Sequence, residues 1–285
     1  MMEKKDIPKI QKINQEILKN IIEICDRHSI DYFMIYGALL GTIRHGGPIP
    51  WDDDVDIGMT RENYMRFLEV AEEEIDPRNQ INIMGSGSSR YLSELKIGRK
   101  GTWYYLDGTR DLDIMQQIQV DVFLFDYIAP LTPAKKRLYE KIRKILYLTK
   151  LNWDEKRLIM MVMDEGKRNG RLLYKAVLVL MHGVRSLMKE EGIEKLMYKM
   201  FIDETKTSGR LGIILDNPSA GGRIATWPEE DLTNLIYMNY AGISVKVPAC
   251  YDQFLTDIYG DYMTPPSEDK QYRRHLDRFV LEINE

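Results

Sequence analysis

The sequence has little cysteine and no long apolar run. Its 285 residues include two cysteines, Cys25 and Cys250, which are too few for a disulfide framework and are not spaced as zinc ligands. Two unpaired thiols are typical of a reducing compartment. No stretch approaches the roughly 18 apolar residues that a membrane-spanning helix needs, and no apolar segment typical of a secretory signal follows the first residues. We therefore expect a cytoplasmic protein.

The chain also lacks an excess of positive charge. Its formal net charge is -4, whereas a nucleic-acid-binding protein is usually basic, so we expect no nucleic-acid partner. Hydrophobic residues make up 44% and charged residues 29%, which is typical of a globular protein. The length allows one large domain or two small ones.

Hydrophobic periodicity predicts an α+β fold with a mixed sheet and flanking helices. Isoleucines at helical spacing from Ile10 to Ile24 predict an opening helix that ends near Arg27, and Thr60 precedes a second helix that runs to about Ile75. Glycines and prolines between residues 37 and 50 predict a turn-rich stretch. Short apolar or alternating runs predict strands at 32–36, 54–59, 81–84, 91–97, 119–125, 210–215 and 243–247.

The middle of the chain differs from the rest in charge. Residues 131–190 follow a helical pattern and contain 15 basic residues against 6 acidic ones. We predict a catalytic core over residues 1–130, a basic helical insertion over 131–205 and a C-terminal segment over 206–285 that packs back on the core. The basic region predicts peripheral contact with the anionic inner face of a membrane or with a phosphate-rich acceptor. A helical insertion with a solvated basic face is the alternative.

Four aspartates lie within five positions, at Asp52, Asp53, Asp54 and Asp56. On a strand, residues i and i+2 share one face, so Asp54 and Asp56 project to the same side. Two carboxylates at that spacing repel each other unless a cation lies between them. Oxygen ligands suit Mg²⁺ or Mn²⁺, and such ions bridge phosphate oxygens during transfer reactions. The motif predicts a metal site; a solvated acidic turn is the alternative.

Upstream of the aspartates, a predicted strand is followed by Gly37 and Gly41 in a glycine-containing turn. Such a turn can present backbone N–H groups to phosphate oxygens, and Arg44 can donate two hydrogen bonds to a phosphate. Plain turn chemistry and a surface ion pair are the alternatives. A strand, a glycine turn and an acidic strand in this order are typical of a nucleotidyltransferase-like core.

That layout predicts a third carboxylate on a later strand. Asp121 is flanked by Val120 and Val122, so it faces away from them. A buried acid between apolar neighbours needs a partner, which a metal ion or an acceptor hydroxyl could provide. Asp126 is the weaker candidate because it lies at the end of the predicted strand.

Residues 36–58, YGALLGTIRHGGPIPWDDDVDIG, closely resemble the signature of the LicD family, phosphocholine transferases related to fukutin. Residues 121–126 and 247–266 resemble two further blocks of the family, so the resemblance extends over most of the chain. The chain departs from the family pattern at two positions. Ala38 removes a possible hydroxyl contact to a phosphate, and Leu124 stands where proline is expected. The carboxylates are unaffected.

The resemblance implies transfer of phosphocholine from CDP-choline to a hydroxyl of a cell-surface glycan, teichoic acid or glycolipid precursor. The matching motif would bind the diphosphate of the donor and a metal ion, but not the alcohol. A CDP-linked ribitol, glycerol or ethanolamine donor is therefore an alternative, as is a nucleotidyltransferase that moves NMP.

The resemblance also implies a role for individual residues. Asp54, Asp56 and Asp121 are the implied catalytic residues and ligands of Mg²⁺ or Mn²⁺, and Asp121 could also take the acceptor proton. Lys96 would neutralise phosphate charge, although an ordinary exposed lysine is an equal alternative. The further candidates for substrate binding are Gly37, Gly41, Arg44, His45, Trp51 and Asp52.

Overall fold

A computed structural model describes residues 2–84, 94–134, 136–137, 154, 156, 171–187, 190–213, 226–271 and 279–283. After a short 3-10 turn, the helices are α1 (Ile7–Arg27), α2 (Tyr36–His45), α3 (Arg61–Glu74), α4 (Arg171–Leu187), α5 (Glu190–Phe201), α6 (Glu229–Thr233), α7 (Tyr251–Tyr259) and α8 (Glu268–Gln271). The strands are β1 (Phe33–Met34), β2 (Val55–Thr60), β3 (Asn79–Met84), β4 (Glu94–Arg99), β5 (Thr102–Leu106), β6 (Gln119–Tyr127), β7 (Arg210–Gly212), β8 (Thr226–Pro228), β9 (Leu235–Tyr240), β10 (Ile243–Pro248) and β11 (Phe279–Ile283).

The main sheet is mixed and has the order β1-β2-β6-β4-β3. β2 and β6 are parallel, whereas β4 runs antiparallel to both β6 and β3. Beyond this path, β7 pairs with β6 and β8 pairs with β7. Two further antiparallel pairs are β9 with β10 and β5 with β11. This mixed sheet with flanking helices agrees with the predicted α+β class.

One hydrophobic core joins the N-terminal helix, the central strands and the C-terminal hairpin. Ile17 and Ile21 of α1, Ile57 of β2 and Val120 of β6 are fully buried in it. Val245 of β10 belongs to the same cluster. The domain boundaries at 130 and 205 stay a prediction, since much of 131–170 lies outside the described residues.

The long periodic elements match the sequence predictions, and the short ones differ. α1 ends at Arg27 as predicted, and α3 follows Thr60 and ends one residue before Ile75. The first predicted strand is wrong in extent, because only Phe33–Met34 pairs with β2 and Tyr36 already begins α2. The elements that were not predicted are β5, β8, β9, β11, α6, α7 and α8. Residues 91–93 and 214–215 of two predicted strands lie outside the described residues.

Within the described helices, none is both long and apolar enough to cross a bilayer.

Gly58 allows two aromatic rings to close over the centre of β2. The Phe33 and Phe125 rings pack edge to face with their centroids 5.0 Å apart. A Cβ at Gly58 would stand 2.6 Å from Phe33 Cε2 and 2.7 Å from Phe125 Cε2, which is too close for any real contact. Glycine is therefore needed here for packing between neighbouring strands rather than for backbone freedom.

We expect Gly58→Ala to lower the free energy of unfolding by about 1–3 kcal/mol, because the added methyl group overpacks two buried rings. Gly192→Ala is the matched control. Apart from its chain neighbours and the backbone of α5 itself, no atom of the described residues lies within 4 Å of where its Cβ would stand. That change should leave stability unaltered or raise it by about 0.5–1 kcal/mol. Urea unfolding measures both; equal stability of the two variants would contradict the packing described here.

Candidate active site

The pairing of β2 with β6 places two carboxylates side by side. The two strands are parallel, and their register sets Asp56 directly opposite Asp121. Val55 and Ile57 on one strand and Val120 and Val122 on the other are buried, while both aspartates are partly exposed on the opposite face. Neighbouring strands lie about 4.8 Å apart, so the two carboxylates are close neighbours. The alternation predicted for both strands is confirmed.

Lys96 extends this row across the next strand. It lies opposite Asp121 in the antiparallel pairing of β4 with β6. Its Nζ donates to Asp121 Oδ2 at 2.8 Å, and Gln119 Nε2 donates to Asp121 Oδ1 at 2.9 Å. Both oxygens of Asp121 are thus held in a fixed orientation, which makes Lys96 part of the carboxylate row and not an ordinary exposed lysine.

Asp54 lies directly before β2, at the end of the acidic loop, by which we mean residues 49–54. One carboxylate oxygen from each of Asp52, Asp53 and Asp54 lies within 4.8 Å of the others. Desolvation by the surrounding protein raises the pKa of Asp54 well above its usual range, and the charges of Asp56, Asp52, Asp53 and Asp121 raise it further. Protein surrounds the carboxylate, but the residue keeps contact with solvent, so the repulsion from these like charges is the cause that a bound cation would remove.

These carboxylates fit a hard divalent cation. The donor atoms are all oxygens, as Mg²⁺ and Mn²⁺ prefer, and a cation would relieve the repulsion that raises the pKa of Asp54. In the described part of the chain, the three acids close enough to share one ion are Asp52, Asp53 and Asp54. The predicted ligand set shares only Asp54 with this group and takes Asp56 and Asp121 from the paired strands β2 and β6. That ligand set stays a prediction.

The glycine turn expected upstream of the aspartates is wrong: Tyr36–His45 form helix α2. Ala38, Leu39 and Leu40 are buried, and this packing stabilises a helix in spite of its two glycines. Gly46, with a φ of 65°, ends the helix in the left-handed conformation that favours glycine. The turns begin only after it.

The glycines of α2 allow the following loop to pack closely on the helix. A Cβ at Gly37 would stand 2.5 Å from Asp52 Oδ2, and one at Gly41 would stand 2.5 Å from the Gly47 carbonyl oxygen. The first N–H groups of a helix lack acceptors within the helix, so Gly37 and Asp52 meet at its electropositive end. Gly41 lies in the helix interior, where its N–H group is poorly placed to bind a phosphate.

Arg44, His45 and Trp51 lie near the other end of α2. Arg44 Nη1 donates to the Tyr262 carbonyl at 2.6 Å, which ties α2 to the chain after α7. The His45 and Trp51 rings meet edge to face with centroids 5.9 Å apart. Burial and the nearby Arg44 lower the pKa of His45, so its imidazole is neutral at neutral pH. Their predicted roles in substrate binding stay predictions.

Asp126, the weaker candidate, lies in a separate ion pair. Its carboxylate is buried and accepts from Arg61 Nε at 2.6 Å and Nη2 at 2.5 Å. Burial raises the pKa of Asp126 even though the Arg61 guanidinium lowers it. This pair joins the start of α3 to the end of β6.

The sequence predictions missed the residues that hold the acidic loop. Gln11 and Asn14 of α1 donate to carbonyl groups of the loop, and the Tyr104 hydroxyl donates to the Asp53 carboxylate. Asn14 could have been found, because it interrupts the apolar stripe of Ile10, Ile17 and Ile21 on a buried helix face. Tyr104 lies in an aromatic run that gives no such indication.

Comparison with known proteins identifies relatives of this site. Residues 29–129, which span β1 to β6, match the family model described as LicD/FKTN/FKRP, nucleotidyltransferase domain. Lipopolysaccharide cholinephosphotransferase LicD of Haemophilus influenzae is 27% identical over 287 residues, covering 96% of this chain and 98% of that protein.

Two further similarities cover shorter segments. An uncharacterized protein of Rickettsia typhi is 38% identical over 55 residues, 19% of this chain and 18% of that protein. Ribitol 5-phosphate transferase FKRP of Homo sapiens is 37% identical over 49 residues, 17% of this chain and 10% of that protein. The family model covers the strands that carry the carboxylates, and the Haemophilus protein aligns over nearly the whole chain. Residues 29–129 are therefore a nucleotidyltransferase domain of the LicD/FKTN/FKRP kind, and the chain is a phosphotransferase of the LicD type.

Proposed function

We propose that the protein transfers phosphocholine from CDP-choline to a hydroxyl of a cell-surface glycan, lipopolysaccharide, teichoic acid or glycolipid precursor. The observation that carries this proposal is the row formed by Asp56, Asp121 and Lys96 across three paired strands, with Asp54 directly before it. The Haemophilus relative, a lipopolysaccharide cholinephosphotransferase, supports the choice of phosphocholine and of a glycolipid acceptor.

The residues of the row and the start of α2 have separate roles in binding the diphosphate of the donor. A divalent cation held by Asp54, Asp56 and Asp121 would supply the positive charge that neutralises the diphosphate of the donor. Lys96 keeps Asp121 oriented through its 2.8 Å contact. The first turn of α2 at Gly37 offers N–H groups to a phosphate oxygen.

In the transfer itself, the acceptor oxygen forms a bond to the phosphorus of phosphocholine. The bond from that phosphorus to the oxygen of CMP breaks, and CMP leaves with the electron pair. The proton of the acceptor hydroxyl needs a base, and we assign this role to Asp121. Its two oxygens already accept from Lys96 and Gln119, but each carboxylate oxygen has a second lone pair for the hydroxyl.

A CDP-ribitol donor is the second candidate, because a short segment of the chain resembles a ribitol 5-phosphate transferase. CDP-glycerol and CDP-ethanolamine belong to the same panel of tests, since the carboxylate row contacts the diphosphate and not the alcohol.

We expect CMP release from CDP-choline in the presence of Mg²⁺ or Mn²⁺, and Asp56→Asn should lower it by at least about 100-fold, at the upper end of losses seen when groups around a metal are changed. Asp26→Asn makes the same chemical change on the exposed side of α1 and should behave as the wild type. Chromatography of CMP across a panel of CDP-alcohols measures both variants.

The outcomes separate the alternatives. CMP release that survives Asp56→Asn would remove this carboxylate from the site. Release from CDP-ribitol alone would replace phosphocholine with ribitol phosphate, and pyrophosphate release from CTP would favour transfer of NMP.

We further propose peripheral contact of α4 with an anionic membrane surface. Val179, Leu180 and Leu187 of this helix are 57%, 61% and 88% exposed, and Leu178 is fully buried. The helix sequence contains three basic residues and no acidic one. Exposed apolar side chains beside basic ones are typical of a helix that lies in the membrane interface. The rest of the basic region, between 138 and 170, lies largely outside the described residues.

Sedimentation with vesicles tests this contact. We expect binding to vesicles of anionic lipid at low salt, little binding to vesicles of neutral lipid, and about fivefold weaker binding of Lys175→Ala, since one basic residue near such a surface contributes about 1 kcal/mol. Equal binding to anionic and neutral vesicles, or none at low salt, would contradict the proposal.

A further inference from the structure

Tyr104 joins the acidic loop to the β5–β11 pair. Its hydroxyl donates a hydrogen bond to Asp53 Oδ2, and its ring stacks on Phe279 of β11 with centroids 4.9 Å apart. Asp53 is buried, at 6% exposed. A charge is costly to bury without hydrogen bonds, and the Tyr104 hydroxyl provides one of them to Asp53.

Helix α1 holds the backbone of the same loop. Gln11 Nε2 donates to the Ile49 and Asp52 carbonyls at 2.9 and 2.8 Å, and Asn14 Nδ2 donates to the Asp53 carbonyl at 2.8 Å. Asn14 Oδ1 is buried with no hydrogen-bond partner among the described residues. An unsatisfied buried acceptor costs about 1–3 kcal/mol, so the fold tolerates a real penalty where Asn14 binds the loop.

The loop needs this support because its charges repel one another. Oxygens of Asp52, Asp53 and Asp54 lie within 4.8 Å of one another. Two unit charges at that distance repel by roughly 3 kcal/mol at the effective dielectric constant of a protein surface. Without fixed donors, the three side chains would separate and would have to be brought together again for each cation.

We propose that Tyr104 is a positioning residue of the carboxylate site: its hydroxyl fixes Asp53 and thereby keeps Asp54 beside the row of Asp56 and Asp121. This inference rests on the proposed function, because it assigns Tyr104 a role in the same site. Burial and the charge of Asp53 raise the pKa of Tyr104 well above its usual range, so the hydroxyl remains a donor at any working pH.

The neighbouring Tyr105 offers a matched control. Its hydroxyl donates to Glu282 Oε1 at 2.9 Å, so Tyr105→Phe also removes one tyrosine–carboxylate hydrogen bond between β5 and the rest of the fold. Adjacent strand residues point to opposite faces, and the Tyr105 hydroxyl binds no group of the acidic loop. The two variants therefore differ in which carboxylate loses a hydrogen bond from a tyrosine hydroxyl.

The experiment measures Mn²⁺ binding to the full chain, without nucleotide, by electron paramagnetic resonance. We expect Tyr104→Phe to raise the Mn²⁺ dissociation constant about tenfold, as for other changes around metal ligands, and Tyr105→Phe to bind Mn²⁺ as the wild type does. With CDP-choline and saturating metal, kcat of Tyr104→Phe should fall while KM changes little. Thermal unfolding of both variants shows whether each is folded.

Three results would overturn the inference. Mn²⁺ binding of Tyr104→Phe at the wild-type level would show that the hydroxyl does not position the site. Equal losses of Mn²⁺ binding and of thermal stability in both variants would reduce Tyr104 to a structural role. Wild-type protein that neither binds Mn²⁺ nor releases CMP from any CDP-alcohol would remove the proposed function as well, whereas the first two results leave that function intact.

Discussion

The parallel pairing of β2 with β6 is the constraint on which the rest of the site depends. It brings Asp56 beside Asp121, two residues from distant parts of the chain. Parallel strands cannot be joined by a tight turn, so the chain between them forms α3, β3, β4 and β5 before it returns as β6. β4 then pairs with the free side of β6, and this places Lys96 next to Asp121. The registers of these two pairings thus place Asp56 and Lys96 on either side of Asp121.

Close packing around α2 explains why the motif contains so many glycines. Gly37 and Gly41 leave room for Asp52 and for the Gly47 carbonyl, so the acidic loop can return along the helix. Ala241, in the turn between β9 and β10, donates its N–H group to the Gly46 carbonyl at 2.7 Å. The hairpin of β9 and β10 therefore holds the chain just before the acidic loop, which links the last third of the chain to the site.

The support of the acidic loop divides into two kinds of contact. Amide side chains of α1 hold its carbonyl groups, and Tyr104 holds the Asp53 side chain. Because each contact comes from a different element, the loop is fixed only once α1, β5 and the sheet have packed together. A site of like charges that is assembled in this way is costly when empty and would bind the proposed cation without rearrangement, which is the general advantage of preorganisation.

Local pattern was sufficient for part of this protein. Periodicity alone gave α1, α3 and the alternation of buried and exposed residues in β2 and β6, because those elements present one face to the core. It also selected Asp121 from its position between Val120 and Val122. The turn expected at Gly37 and Gly41 was wrong because packing against a distant loop, and not backbone freedom, requires those glycines.

Tertiary structure alone decided which residues meet. The sequence determined the residue types, the apolar faces and the candidates Asp54, Asp56 and Asp121. It could not determine the register that joins Asp56, Asp121 and Lys96, nor the contacts of Tyr104 and Asn14 with the loop. The physical reason is that strand register and side-chain hydrogen bonds between distant residues depend on how the whole core packs, whereas helix and strand periodicity depends on neighbours within a few positions.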